Sequence, residues 1–323
     1  MKRPHQYGAA LLAAMLTVSL VATFATAALW NQWRSVEVEA ADRTRVQATW
    51  ILTGALDWSR LILREDARSG GADHLAEPWA VPLQEARLST FLAADPSNTT
   101  DNDSDTTFLS GEIVDMQSLL NVANLLDPNG GLSQADLRAF GRLFDLLGLP
   151  QSQLTRMAEN LRFASDSNAG NLSGSQAPLL PQRPEQLAWL GLPPETIAAL
   201  QPYVTILPNR TPVNLNTAPA EVIYAVGSAL GMADAKRLVA VREGQHFRSV
   251  ADASRQVPAG AFASGTVDVR SRFFEVRGRL RMDDVVIEER SLVQRDARGD
   301  VRTVQREHGG FQSAFAPQAT PAR

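Results

Sequence analysis

GAALLAAMLTVSLVATFATAALW, residues 8–30, decides how the rest of the chain is read. It runs for 23 residues without a charge, long enough for a helix to span a bilayer. Its polar residues are Thr17, Ser19, Thr23 and Thr26, whose hydroxyls can bond back to the helix. Lys2, Arg3 and His5 precede it and no basic residue follows closely, which orients the N-terminus to the cytoplasm. Trp30 and Trp33 fall where an interfacial aromatic belt would lie. A cleaved secretory signal is the competing reading, and Ala25-Thr26-Ala27 offers small residues for its peptidase. The apolar core, however, exceeds the roughly 7–15 residues of such a signal.

Beyond the membrane run the helical pattern continues. Val38, Ala41, Ala48, Ile51, Ala55 and Ile62 recur at three-, four- and seven-residue spacings, while Glu37, Arg45 and Arg60 are polar. Nothing breaks the pattern before Ser69-Gly70-Gly71. The spacing predicts one helix from Ala9 to about Arg64, roughly 84 Å long. Half would lie in lipid and half would offer a face to a globular head.

The whole chain has 323 residues, a formal net charge of −4 and no cysteine. Disulfides and thiolate chemistry are excluded. The four histidines, His5, His74, His246 and His308, are too few and scattered for a multi-histidine metal centre. The acidic balance argues against a nucleic-acid binder, which carries a basic footprint. No Ser/His/Asp or paired-carboxylate constellation stands out, so the chain reads as a non-enzyme.

Residues 69–112 read as loop-rich, and 111–126 as a strand leading into helix. Ser133 caps a helix ending at Leu147, with Leu137, Phe140, Leu143 and Phe144 on one face and Gly148 as its stop. Residues 165–184 read as a long loop. Short helices follow over 184–189, 194–200, 219–230 and 233–243. From Thr266 the period becomes two: Phe274, Val276, Gly278 and Leu280 face one way, Glu275, Arg277, Arg279 and Arg281 the other. Turns at 282–284 and 296–300 divide a three-strand antiparallel meander. Glu288 and Glu289 are expected on a solvated face.

Several segments together resemble the minor pseudopilin K family of type II secretion systems. They are Gly8-Ala9-Ala10-Leu11-Leu12, Glu77-Pro78-Trp79-Ala80, and Gly111-Glu112-Ile113-Val114-Asp115-Met116-Gln117 followed by Asn121 and Asn124-Leu125-Leu126. Pro202-Tyr203-Val204-Thr205 and Val213-Asn214-Leu215-Asn216-Thr217-Ala218 complete the order. The resemblance implies cleavage between Gly8 and Ala9 by a prepilin peptidase, with N-methylation of the new terminus. It implies a single-pass inner-membrane protein with a periplasmic head. Implied partners are the I- and J-type minor pseudopilins, the inner-membrane secretion platform and the lipid bilayer. Most pilin-like chains carry glutamate at the fifth mature position, which is Ala13 here. A carboxylate in lipid is costly unless paired. Its loss is what a tip subunit, lacking one neighbour, would tolerate. The stem face Val38, Ala41, Ala48 and Ala55 is expected to pack against partner pseudopilins. The chain departs from the family between Met157 and Gly174, where a Trp-Ile-Asp motif is missing, so calcium ligation tied to that motif is not carried over.

Asp101, Asp103 and Asp105 alternate with Asn102 and Ser104 like part of a calcium loop. The central glycine and distal glutamate of an EF-hand are absent, so the tract reads as a solvated loop and no cofactor is expected. Residues 213–252 also resemble a helix-hairpin-helix of the kind found in DNA-uptake receptors. Such modules bind phosphate through glycine-rich backbone amides. Here the hairpin, Val226-Gly227-Ser228-Ala229-Leu230-Gly231, has the wrong glycine spacing. Asn214, Asn216 and Thr217 are expected instead to turn and cap the chain ahead of Pro219.

The expected fold is α+β: a leader at 1–8, a transmembrane and stem helix at 9–65, and a pilin-like head from 66–120 and 265–310. An all-helical insert of SAM or helix-hairpin-helix type would occupy 121–264, with a tail at 311–323.

Overall fold

Helix α1 runs unbroken from Tyr7 to Ser69, 63 residues or about 94 Å at the α-helical rise. The computed structural model describes residues 7–92, 106–166, 177–282 and 285–309. Among them α1 is the one helix long and apolar enough to cross a membrane. The hydroxyls of Thr17, Ser19, Thr23 and Thr26 each donate to a carbonyl three or four residues back at 2.8 Å, which hides them from lipid. The helix ends where Gly70 and Gly71 take φ of 69° and 133°, a backbone that side chains resist.

Five antiparallel strands form the sheet: β1 (Leu83–Arg87), β2 (Thr107–Asp115), β3 (Phe273–Met282), β4 (Val285–Arg295) and β5 (Val301–His308). They lie in chain order, each paired with the next. The expected meander is β3–β5. The 69–112 stretch is less loop-like than expected, since it also forms β1 and a turn of helix, α2 (Leu88–Leu92).

The stem lies across one face of this sheet. Ala48, Leu52, Leu56 and Leu63 are buried against Leu109, Phe274, Val276, Leu280, Val293 and Val301. Close approach depends on Gly278, paired across the ladder with Gly111. A Cβ on Gly278 would meet Leu52 Cδ2 at 3.1 Å. Trp79, only 2% exposed, stands edge-on to Phe274 at 5.2 Å and closes this layer.

Strands β2 and β3 are neighbours in space, yet 157 residues separate Asp115 from Phe273, so all of 116–272 is one excursion from the sheet. This is wider than the expected 121–264. Leu120, Val267 and Val269 belong to the core of the excursion, because two short parallel ladders close its root. They pair Leu120–Asn121 with Val204–Thr205, and Val213–Asn214 with Val267–Asp268. The helices are α3 (Gln134–Leu146), α4 (Gln151–Ser165), α5 (Pro194–Leu200), α6 (Ala220–Val226), α7 (Met232–Gly244) and α8 (Val250–Ser254). Ser133 caps α3 as expected, accepting from the Asp136 amide. Helix α4 was not expected, although Leu154, Met157, Ala158 and Leu161 form a buried stripe on it.

Candidate functional site

A carboxylate at the end of β2 holds the sheet to the insert. Asp115 Oδ2 accepts from Ser271 Oγ at 2.6 Å, Thr217 Oγ1 at 2.6 Å and Asn214 Nδ2 at 3.0 Å, while Oδ1 accepts from the Gln117 amide at 2.8 Å. Burial pushes the Asp115 carboxyl up to about 6, with the Ser271 and Thr217 bonds opposing that rise. Thr217 therefore does not cap the following helix; Pro219 holds the N-cap position and the Thr217 hydroxyl is spent on Asp115.

The asparagines of the recognised segments are structural fasteners. Asn216 exchanges two bonds with the backbone of Phe247, at 2.8 and 2.9 Å. Asn124 does the same with Thr211, at 3.0 and 2.7 Å. Asn121 donates to the Asn209 carbonyl and accepts from the Leu207 amide. Each satisfies backbone groups that turns leave unpaired. Glu77 of the Glu-Pro-Trp-Ala segment accepts from Trp79 Nε1 at 2.7 Å and from the His74 amide at 2.9 Å, which seats the tryptophan.

Beside Asp115 a second knot joins stem, sheet and insert. Arg295 on β4 pairs with Asp66 at 2.8 Å, with Asp73, and with the Ser271 carbonyl. Asp66, Asp73 and Glu77 converge there, and the Arg295 guanidinium answers the cluster. Burial raises the carboxyls of Asp66 and Asp73, and Arg295 opposes that.

The stem offers two faces. Ala48 is fully buried on the sheet and Ala55 is half-buried, so these two of the four expected partner-packing residues serve the chain's own fold. Val38 and Ala41 are exposed, below the reach of the sheet, and Ala13 is exposed within the apolar run. On the side away from the sheet Val46, Trp50 and Leu61 are 56%, 72% and 47% exposed, while Trp58 stands at the rim of a cavity between stem and sheet with Trp79 and Leu83. Periodicity missed this row because it found the more regular alanine face first. Gly8 and Ala9 fall in the first turn of α1, which begins two residues earlier than expected. The calcium candidates Asp101, Asp103 and Asp105 lie outside the described residues, as do Asp283 and Asp284.

The basic row on β3 is neutralised in place. Arg277 pairs with Glu112 at 2.8 Å and with Glu275, Arg279 faces Glu288 at 3.6 Å, and Arg281 pairs with Glu85. Glu289 departs from expectation: it is 4% exposed and paired with Arg306 at 2.6 Å, and Arg306 reaches Thr53 of the stem. In the hairpin between α6 and α7 the amides of Ser228 and Gly231 are already used. Ser228 N–H donates to the Ala261 carbonyl at 2.9 Å, and Gly231 N–H to Asp234 Oδ2 at 3.1 Å. A carboxylate thus stands where a phosphate would bind.

Comparison with known proteins fits this geometry. Two family models described as type II secretion system protein K match residues 118–209 and 213–270. Type II secretion system protein K of Pseudomonas aeruginosa is 24% identical over 95% of this chain and 94% of its own. Its counterpart from Klebsiella pneumoniae is 26% identical over 94% and 97%. The fold matches a chain in the GspK-GspI-GspJ complex of the enterotoxigenic Escherichia coli type 2 secretion system, with a TM-score of 0.63 at 15% identity, covering 84% of this chain and 99% of that one. With its long apolar helix, antiparallel sheet and helical excursion, the chain is similar to type II secretion system protein K along nearly its whole length.

Proposed function

We propose that this protein is the tip subunit of a type II secretion pseudopilus, where it nucleates and caps assembly alongside I- and J-type minor pseudopilins. The observation that carries the reading is the exposed row Val46, Trp50 and Leu61 on a stem whose opposite face is filled by its own sheet. An exposed apolar row on a helix, continuous with a membrane-spanning segment, is what a second stem would cover. The E. coli relative is held in a complex with GspI and GspJ, which supports partners of that type. On this reading Gly8 is the last residue of a cytoplasmic leader, Ala9 the methylated N-terminus, and the head lies in the periplasm. Ala13 then leaves no carboxylate to pair with a neighbouring terminus. The subunit works by packing and carries no catalytic group.

The test is the mass of the mature chain purified from membranes. A chain beginning at Ala9 and carrying one methyl group is expected. A start after Ala27 would refute the assignment. The competing role, a membrane-tethered DNA receptor, is opposed by the occupied hairpin amides and by the net charge of −4.

A further inference from the structure

Two of the four histidines meet face to face at the junction of stem and insert. His74 lies on the segment after α1 and His246 between α7 and α8. Their rings stack with centroids 3.8 Å apart and planes 14° apart. Nothing else in the fold asks for imidazole here. The ring nitrogen of His74 accepts from the Ala76 amide at 3.2 Å, which requires that nitrogen to be unprotonated. The adjoining residue on each side is tightly held. Asp73 is fixed by Ser271 N–H, Arg295 and Val269, and Phe247 by Asn216. The stack is thus a half-exposed contact next to two buried anchors.

We propose that the His74–His246 stack is an acid-released latch between the stem and the helical insert. Neutral rings stack; two cationic rings at this distance repel, and a protonated Nδ1 of His74 loses the Ala76 bond. The charges facing the pair come from every side. Asp66 of α1 and Asp73 of the following segment favour a cation on His74. Glu77 favours one on His246, while Arg248 of the insert opposes it. Arg295 of the sheet already engages Asp66 and Asp73, which leaves them little hold on a protonated ring. Desolvation, the largest influence on both rings, lowers both below the usual imidazole value.

The signs separate latch from anchor. A depressed histidine contributes stability that is present above about pH 6.5 and lost as pH falls through the folded value. Asp115, raised to about 6, contributes stability as pH falls through that value, and Asp73 is raised in the same direction. Acidification therefore opens the stack while the anchors beside it stay closed. The result is local release of His74 from His246, with Asp73 and Phe247 still held and no unfolding. This inference does not depend on the tip reading.

The test is hydrogen exchange on the full chain in detergent micelles at pH 7.5 and 5.5, corrected for the intrinsic pH dependence of exchange. Protection at Ala76 and Gln245 should fall by about tenfold at the lower pH, while the anchored Phe247 and Phe274 and Val276 on β3 change less than about twofold. His74→Phe/His246→Phe keeps two stacked rings that cannot titrate and should abolish the difference. The single variant His246→Gln should leave the segment open at both pH values. Unchanged protection in the wild type, or a pH difference that persists in the double phenylalanine variant, would overturn the proposal.

Discussion

The two sides of α1 between Val46 and Leu63 are both apolar, but only one is covered. Ala48, Leu52, Leu56 and Leu63 face the sheet and are at most 5% exposed. Val46, Trp50 and Leu61 face away and are roughly half exposed or more. The inner row is small or branched, as close packing over Gly278 requires; the outer row carries a tryptophan, Trp50, that a free helix has no reason to display. Helical periodicity detects apolar faces but does not say which neighbour covers each one. That is decided by where the sheet returns, some 230 residues later in the chain.

Substitutions that break one face and spare the other sharpen this contrast. Ala48→Asp places an unpaired charge between helix and sheet and should cost at least about 3 kcal/mol, read as a large drop in thermal midpoint or loss of soluble head. Trp50→Glu with Leu61→Glu should leave the midpoint within a few degrees. It should nevertheless cut co-purification with partner pseudopilins by about tenfold or more, since buried tryptophans dominate interface energetics.

Asp115→Asn tests the anchor that fixes the insert to the same sheet. Replacing an acceptor ringed by four donors should cost about 2 kcal/mol at neutral pH. The wild type should lose stability from this group as pH rises from about 4 through about 6, because its carboxyl is raised in the fold; the variant should lack that component. The smallest effect is expected from Asp234→Ala, which uncovers the Gly231 amide at the start of α7. It should cost about 1 kcal/mol and should not produce salt-dependent DNA binding.

Much of this was legible in the sequence. The charge-free run to Trp30, the Ser133 cap and the alternation from Phe274 to Leu280 each rest on short-range rules, and each matches the fold. What was not legible involves polar groups buried by distant partners. Alternation of hydrophobicity cannot place Glu289, Ser291 and Arg295 on the covered side of β4, because their burial depends on Arg306, Asp66 and Asp73. Thr217 had the composition of a cap, but Asp115, 102 residues away, claims its hydroxyl. Helix α4 lacks a side-chain cap at Pro150, yet its stripe of Leu154, Met157, Ala158 and Leu161 was a usable signal. Strand β1 is five residues long, with a register shift against β2, and offers no clear period.

The most direct test of the two-faced stem is site-specific photo-cross-linking in cells that express all the minor pseudopilins. A photoreactive side chain at Trp50 or Leu61 should give adducts with an I- or J-type pseudopilin, and one at Leu52 should give only intramolecular products. Intermolecular adducts from Leu52 with none from Trp50 or Leu61 would contradict the account.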